Sequence, residues 1–175
     1  MKKLLVVIDY QNDFVNGTLG FDGAEKLDGP IAERIRQYRA EGHDVVFTRD
    51  THYKDYLNTR EGKKLPVVHC VKGTPGWQIF GETAKEVQEG DTVIDKPTFG
   101  SMALGEFAIK GGYDEVELVG LVSNICVMTN AAILKTALPE AVVTVNAALT
   151  ASHDADMNAK ALDIMEGIQV NVINR

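Results

Sequence analysis

The chain has 175 residues, 45% hydrophobic and 25% charged, which is the size and balance of one globular domain over residues 1–175. Eighteen basic against twenty-five acidic residues leave a net charge of −7, and no Lys/Arg cluster offers the footprint that nucleic acid requires. Two cysteines exclude a disulfide framework, and no apolar run approaches the roughly 20 residues that span a bilayer. Neither nucleic acid nor membrane is expected as a partner, and a reducing, cytoplasmic setting fits.

The opening MKKLLVVIDYQND has an apolar stretch of only five residues before Asp9 and no small-residue cleavage site, so it reads as a buried first strand rather than a leader. Similar runs recur at Leu4–Ile8, Val45–Thr48, Thr92–Ile94, Val116–Leu121, Val142–Val145 and Val170–Ile173. They are continuous rather than alternating, as in parallel strands covered on both faces. Helical spacing lies between them. Pro30 stands near the start of one helix, with Ile31, Ile35 and Tyr38 on one face and Gly42 as its stop. Phe80, Ala84 and Val87 repeat the period, as do Val127, Ala131, Leu134 and Leu138, and later Met157, Ala161 and Ile164. Six strands alternating with helices predict an α/β fold with a doubly wound, mainly parallel sheet flanked by helices on both faces. In such sheets functional groups gather beyond the C-terminal ends of the strands.

Four predicted strand ends carry chemistry. Asp9 directly follows the apolar run Leu4–Ile8, so burial would raise its pKa and suit it to general-base work; capping a turn is the plainer alternative. Asp50 and His52 lie two apart after the second strand and share a face in extended chain, with Glu61 and then His69 following. Two imidazoles with a carboxylate suit Zn²⁺, Mn²⁺ or Fe²⁺, although two surface histidines would give the same pattern. Lys96 ends the short third strand, placed either over the same crevice or in a simple pair with Asp95. Cys126 falls in the first turn of the helix after the fourth strand, with Ser123 or Asn124 as its N-cap. A helix N-terminus lowers a thiol pKa, and its free N–H groups can receive a developing oxyanion; a small core hydrophobe is the alternative. Cys70 reads as core. A Cys–His arrangement needs an imidazole at Cys126, and His43 and His153 are poorly placed for one, which leaves Asp9 as the available base.

In this order the segments VVIDYQNDFVNGTL, RDTH, LPVVHCVKGTPGW, DKPTFGSM and GLVSNICV resemble the isochorismatase-like cysteine hydrolases, in particular their nicotinamidase/pyrazinamidase branch, along essentially the whole chain. The resemblance implies a triad of Cys126 as nucleophile, Asp9 as proton shuttle and Lys96 as electrostatic partner. It implies a cis peptide between Leu121 and Val122 and an oxyanion hole from the N–H groups of Val122 and Cys126. It further implies one divalent metal ion on Asp50, His52 and His69, with Glu61 as a further ligand, and Phe14 lining the substrate pocket.

The expected reaction is deamination of a small aromatic carboxamide, nicotinamide or a pyrazinamide-like compound, through a thioester. Hydrolysis of a ureido or carbamoyl C–N bond is the alternative within the enzyme class, and a non-catalytic metal- or ligand-binding protein of the same fold lies outside it. Cys126 argues against isochorismate hydrolysis itself. The chain departs from the branch at Thr51, where a tryptophan is usual, and at Ser123-Asn124-Ile125, where T-[DE]-Y is common; the chemistry should tolerate both changes, and these are the positions from which a different substrate would arise. Relatives assemble, so a homo-oligomer, dimer or tetramer, is expected.

Overall fold

A computed structural model describes all residues, Met1–Arg175. Six parallel strands form one sheet: β1 (Lys3–Ile8), β2 (Asp44–Asp50), β3 (Thr92–Lys96), β4 (Glu115–Leu121), β5 (Val142–Ala151) and β6 (Asn171–Ile173), in the order β3-β2-β1-β4-β5-β6. Strand order reverses at β1, where the chain crosses from β3 to β4, and a crevice opens there beyond the carboxyl ends.

Both faces of β1 are covered, which is why its sequence is an unbroken apolar run. Leu4, Val6 and Ile8 pack on one side with residues of α5 (Met102–Gly111), α6 (Met128–Ala137) and α7 (Ala155–Gly167). Leu5 and Val7 pack on the other with Ile31, Ile35 and Tyr38 of α2 (Asp28–Ala40). Each fully buried aliphatic side chain contributes about 1.5–3 kcal/mol relative to exposure, so β1 anchors both cores. Short helices α1 (Asn12–Val15), α3 (Arg60–Lys64) and α4 (Gly81–Lys85) sit in the loops. No helix is long and apolar enough to cross a membrane.

The doubly wound α/β sheet is as expected and is parallel throughout. Several finer expectations need correction. β5 continues six residues past Val145, because a register shift between Leu118 and Gly120 lets Asn146 turn toward the buried Glu117 and donate to its carboxylate at 3.1 Å. The Phe80 helix is a single turn, with Phe80 as its N-cap. In α7 the inward face is Ala161, Leu162 and Met165, whereas Met157 and Ile164 are exposed. Helix α5 was not anticipated, although Ser101 caps its start by accepting from Leu104 N at 3.1 Å and Gly112, at φ 65°, ends it.

Gly120 shows how tightly the two central strands approach at the crevice. Its φ is 108°, and a Cβ there would overlap the Ile8 carbonyl. No other residue fits this position without moving β1 or β4.

Candidate active site

Four strand ends converge on the crevice. The strand pairing sets Lys96 beside Asp50, and the backbone N–H of Asp9 donates to Thr48 O at 3.2 Å. From the edge strand, the Lys96 side chain crosses β2 to reach Asp9, and its Nζ lies 2.6 Å from Asp9 Oδ2. The same ammonium is 3.5 Å from Cys126 Sγ, 3.0 Å from Thr98 O and 3.5 Å from Asp50 Oδ1. Asp95, the alternative partner, pairs with Arg49 and Lys72 instead. Thr48 Oγ1 donates to Asp9 Oδ1 at 2.6 Å. Asp9, Lys96 and Cys126 are all buried.

Electrostatics follow from that burial. Desolvation raises the Asp9 pKa above the ordinary carboxylate value, against the pull of Lys96. Desolvation likewise pushes the Cys126 thiol well up, reinforced by the Asp9 charge and opposed by Lys96. For Lys96 burial acts downward, but Asp9, Cys126 and Asp50 outweigh it and hold the ammonium charged. One cation thus faces two acids, Asp9 and Cys126, in a dry site. With Asp50 also 3.5 Å from the ammonium, ionising Asp9 and Cys126 together is disfavoured, and a proton lost from either makes loss from the other harder. This corrects the expectation of a thiol lowered by a helix N-terminus. Cys126 lies in a wide five-residue turn, Ser123–Val127, which Val122 rather than Ser123 or Asn124 caps and which leads into α6, capped by Val127. The Val122 carbonyl accepts from both Ile125 N and Val127 N at 3.2 Å. The Leu121–Val122 peptide immediately before this turn is cis.

Beside the triad lies a second cluster. Asp50, His52, Glu61 and His69 each present one donor atom, all within 4.8 Å of one another. Asp50 Oδ2 is 3.0 Å from His52 Nε2 and 3.4 Å from His69 Nε2, and Glu61 Oε1 is 3.5 Å from His52 Nε2. A backbone bridge draws the histidines together: His52 N donates to Cys70 O and Lys72 N to His52 O, both at 2.9 Å. His69 Nδ1 donates to Val67 O at 2.7 Å, which leaves Nε2 as the free donor atom facing the carboxylates. Burial alone would raise Asp50, but its close contacts with His52 and His69 and the Lys96 charge carry it below the usual carboxylate range. Glu61 is raised, by burial first and then by Asp50. Tyr56 closes one side, its ring 4.6 Å from His52 and 5.0 Å from His69, and burial with the Glu61 charge pushes its phenol up to about 12. Two imidazoles and two carboxylates converging on one point suit zinc, manganese or iron(II), and two like charges held this close call for a cation.

A cavity of about 420 Å³ opens over both clusters, with Cys126, Asp50, Glu61 and His69 in its lining. Phe14 forms one wall, its ring 5.7 Å from that of His69, and Val122 another. Leu19, Leu65, Phe99 and Ile125 add apolar surface, and Thr18 and His153 add polar groups. Sequence reasoning missed Thr18, Leu19, Leu65 and Phe99, as it missed Thr48 and gave no role to Gln11, and it set His153 aside although that residue lines the same cavity as Cys126. Of the departures singled out, only Ile125 reaches the cavity. Thr51 is buried elsewhere, its hydroxyl accepting from Trp77 Nε1 at 2.8 Å and donating to Arg49 O at 3.0 Å. Ser123 is wholly buried outside the cavity lining.

Comparison with known proteins places the fold in a family. Residues 3–175 match the isochorismatase domain. The nicotinamidase/pyrazinamidase of Mycobacterium tuberculosis is 27% identical over 188 residues, covering 98% of each chain. Among solved structures, the pyrazinamidase of Pyrococcus horikoshii in complex with zinc superposes with a TM-score of 0.87 at 22% identity over the full length of both chains. The N-carbamoylsarcosine amidase of Thermoplasma acidophilum gives 0.82 at 28% identity, over 98% of this chain and 95% of that one. With the family match spanning nearly every residue and the six-stranded parallel fold shared, the chain belongs to the isochorismatase family.

Proposed function

We propose that this protein is a cysteine amidohydrolase that deaminates nicotinamide or a closely similar aromatic carboxamide to the acid and ammonia. The observation that carries the reading is the position of Lys96 Nζ, 2.6 Å from Asp9 Oδ2 and 3.5 Å from Cys126 Sγ inside a dry site. The full-length likeness to the mycobacterial nicotinamidase/pyrazinamidase supports the substrate class.

In this mechanism Asp9 takes the proton of Cys126, and Sγ attacks the amide carbon. Negative charge passes to the carbonyl oxygen, which the N–H groups of Val122 and Cys126 receive; one such donor in other hydrolases is worth roughly 3–4 kcal/mol of barrier. Asp9 returns the proton to the amide nitrogen, the C–N bond breaks, and ammonia leaves an acyl thioester. Water then adds to the thioester carbon, giving up its proton to Asp9, and the released thiolate recovers that proton. Throughout, Lys96 holds one compensating positive charge against whichever of Asp9 and Cys126 is ionised.

Asp50, His52, His69 and Glu61 would hold the divalent ion, which supplies a Lewis-acid anchor for the ring nitrogen. Phe14, Leu65, Phe99 and Ile125 give the ring an apolar slot and keep water from the reacting carbon.

A second reading is hydrolysis of an N-carbamoyl acid. The 28% identity to the carbamoylsarcosine amidase favours it, and His153 at the cavity could pair with a substrate carboxylate. Acid quench during turnover followed by intact mass distinguishes the two. Nicotinamide should leave a nicotinoyl group on Cys126, and N-carbamoylsarcosine should leave none. A carbamoyl adduct from the latter, with nicotinamide inert, would overturn the first reading. Assembly as a dimer or tetramer and a cytoplasmic location complete the proposal.

A further inference from the structure

Gln11 is a fully buried side chain with no place in the chemistry above. Burying a primary amide is unfavourable unless every polar atom finds a partner. Here Nε2 donates to Asp50 O and to Trp77 O, both at 2.9 Å, and Oε1 accepts from Asp50 N at 2.7 Å. The reason lies in the sheet. β1 ends at Ile8, and after the bond from Asp9 N to Thr48 O its backbone leaves β2. The next main-chain groups on that edge of β2 belong to Asp50. The Gln11 side chain takes the place of the departed strand and satisfies both.

Its neighbours reach the other side of the metal cluster. Asn12 Nδ2 donates to Pro75 O at 2.7 Å, and Asn12 N donates to Gln78 O at 2.9 Å. Asp13 Oδ2 accepts from Cys70 N at 2.7 Å, one residue beyond His69. Cys70 has φ 46°, a left-handed conformation that a cysteine holds only where its surroundings impose it. Its peptide is gripped on both sides, by Asp13 at the N–H and by His52 N at the carbonyl. A Cβ on Gly76 would overlap the Asp13 carboxylate, so the turn at 75–77 is shaped around that group.

Of these three successive side chains, two to four residues beyond Asp9, Gln11 therefore holds the backbone of Asp50 and Asp13 that of Cys70 next to His69, while Gln11 and Asn12 together fix the turn at 75–77. None of the three is a ligand. We propose that Gln11 and Asp13 are positioning residues that set the affinity of the Asp50–His52–Glu61–His69 cluster for its divalent ion, an inference that rests on the metal reading above. Outer partners of this kind typically govern metal affinity by roughly 10–100-fold.

The test is Zn²⁺ binding to the purified full chain by chelator competition, without substrate. Gln11→Met and Asp13→Ala should weaken Zn²⁺ by roughly 10-fold or more. Asp13→Asn keeps an oxygen to accept from Cys70 N, so it should stay within about 3-fold of the wild type. Asn146→Ala, which removes a buried bond to Glu117 elsewhere in the sheet, is the control for general loosening and should leave Zn²⁺ affinity unchanged. Equal affinities for Asp13→Ala and the wild type, or equal losses in Asp13→Ala and Asn146→Ala, would overturn the proposal. So would failure of both Gln11→Met and Asp13→Ala to fold, which would make the clamp a folding element. A wild type that binds no Zn²⁺ or Mn²⁺ would instead remove the metal reading itself.

Discussion

Lys96 and Asp9 form an ion pair at 2.6 Å with both side chains wholly buried, and the Cys126 thiol completes the contact at 3.5 Å from the same ammonium. The pair is costly to desolvate and carries no stability argument. Its consequence is chemical, because a single fixed cation lets one of two neighbouring acids ionise in a dry site.

Replacing Lys96 with Met removes that cation. Both acids then lose the interaction that lowers them, so the Cys126 pKa should rise further and turnover should fall. Alkylation by iodoacetamide followed against pH reads the shift directly, and an unchanged profile would contradict the electrostatic role.

Asp9→Asn separates basicity from reactivity. The Asp9 charge is the second-largest influence raising the thiol, after burial, so its removal should bring the Cys126 pKa down. Alkylation at neutral pH should accelerate while amide hydrolysis drops by roughly 10²–10⁴-fold. A group that merely held the thiol in place would slow both.

Thr48→Val is nearly isosteric and deletes only the hydroxyl that donates to Asp9 Oδ1 at 2.6 Å. Loss of that bond leaves Asp9 a weaker acid and less well aimed. kcat should fall by about 10-fold or more with KM little altered, in line with roughly 1.5–3 kcal/mol for a hydrogen bond to a charged group.

His52→Ala and His69→Ala should abolish bound metal in elemental analysis. Because the ion is assigned to anchoring the ring, KM for nicotinamide should rise more than kcat falls when it is chelated away. Cys126 should remain alkylatable in the same samples.

Gly120→Ala tests the close approach of the central strands. The Cβ meets the Ile8 carbonyl at a φ of 108°, so the variant should lose about 2–4 kcal/mol, read as a lower denaturation midpoint.

Much of this was legible in the sequence for one physical reason: strands covered on both faces must be apolar throughout, so each ends visibly at its first polar residue. Asp9 announced itself in that way, and Asp50 and Lys96 follow within a few residues of the last apolar residue of their strands. The same logic hid the far half of β5, where Asn146 breaks the run only because a buried Glu117 awaits it across the register shift. The face of α7 was misread because Met157 and Ile164 offer a stripe that competes with Leu162 and Met165. Thr48 and Gln11 stayed hidden for different reasons. A threonine in a strand reads as an ordinary β-former, and a glutamine carries no chemical signature until its partners are in place. The cavity walls depend on loops far apart in the chain, such as Leu19 and His153, which no local pattern joins. The thiol's raised pKa came from burial, which the position of Cys126 near a helix start did not reveal.

The central claim is that Cys126 attacks an aromatic carboxamide with Asp9 as its base. Ammonia release from nicotinamide by the zinc-loaded protein, beside its Cys126→Ala variant, tests it most directly. The account predicts steady turnover by the wild type and a loss of roughly 10³-fold or more in the variant. A variant that releases ammonia at the wild-type rate would contradict it.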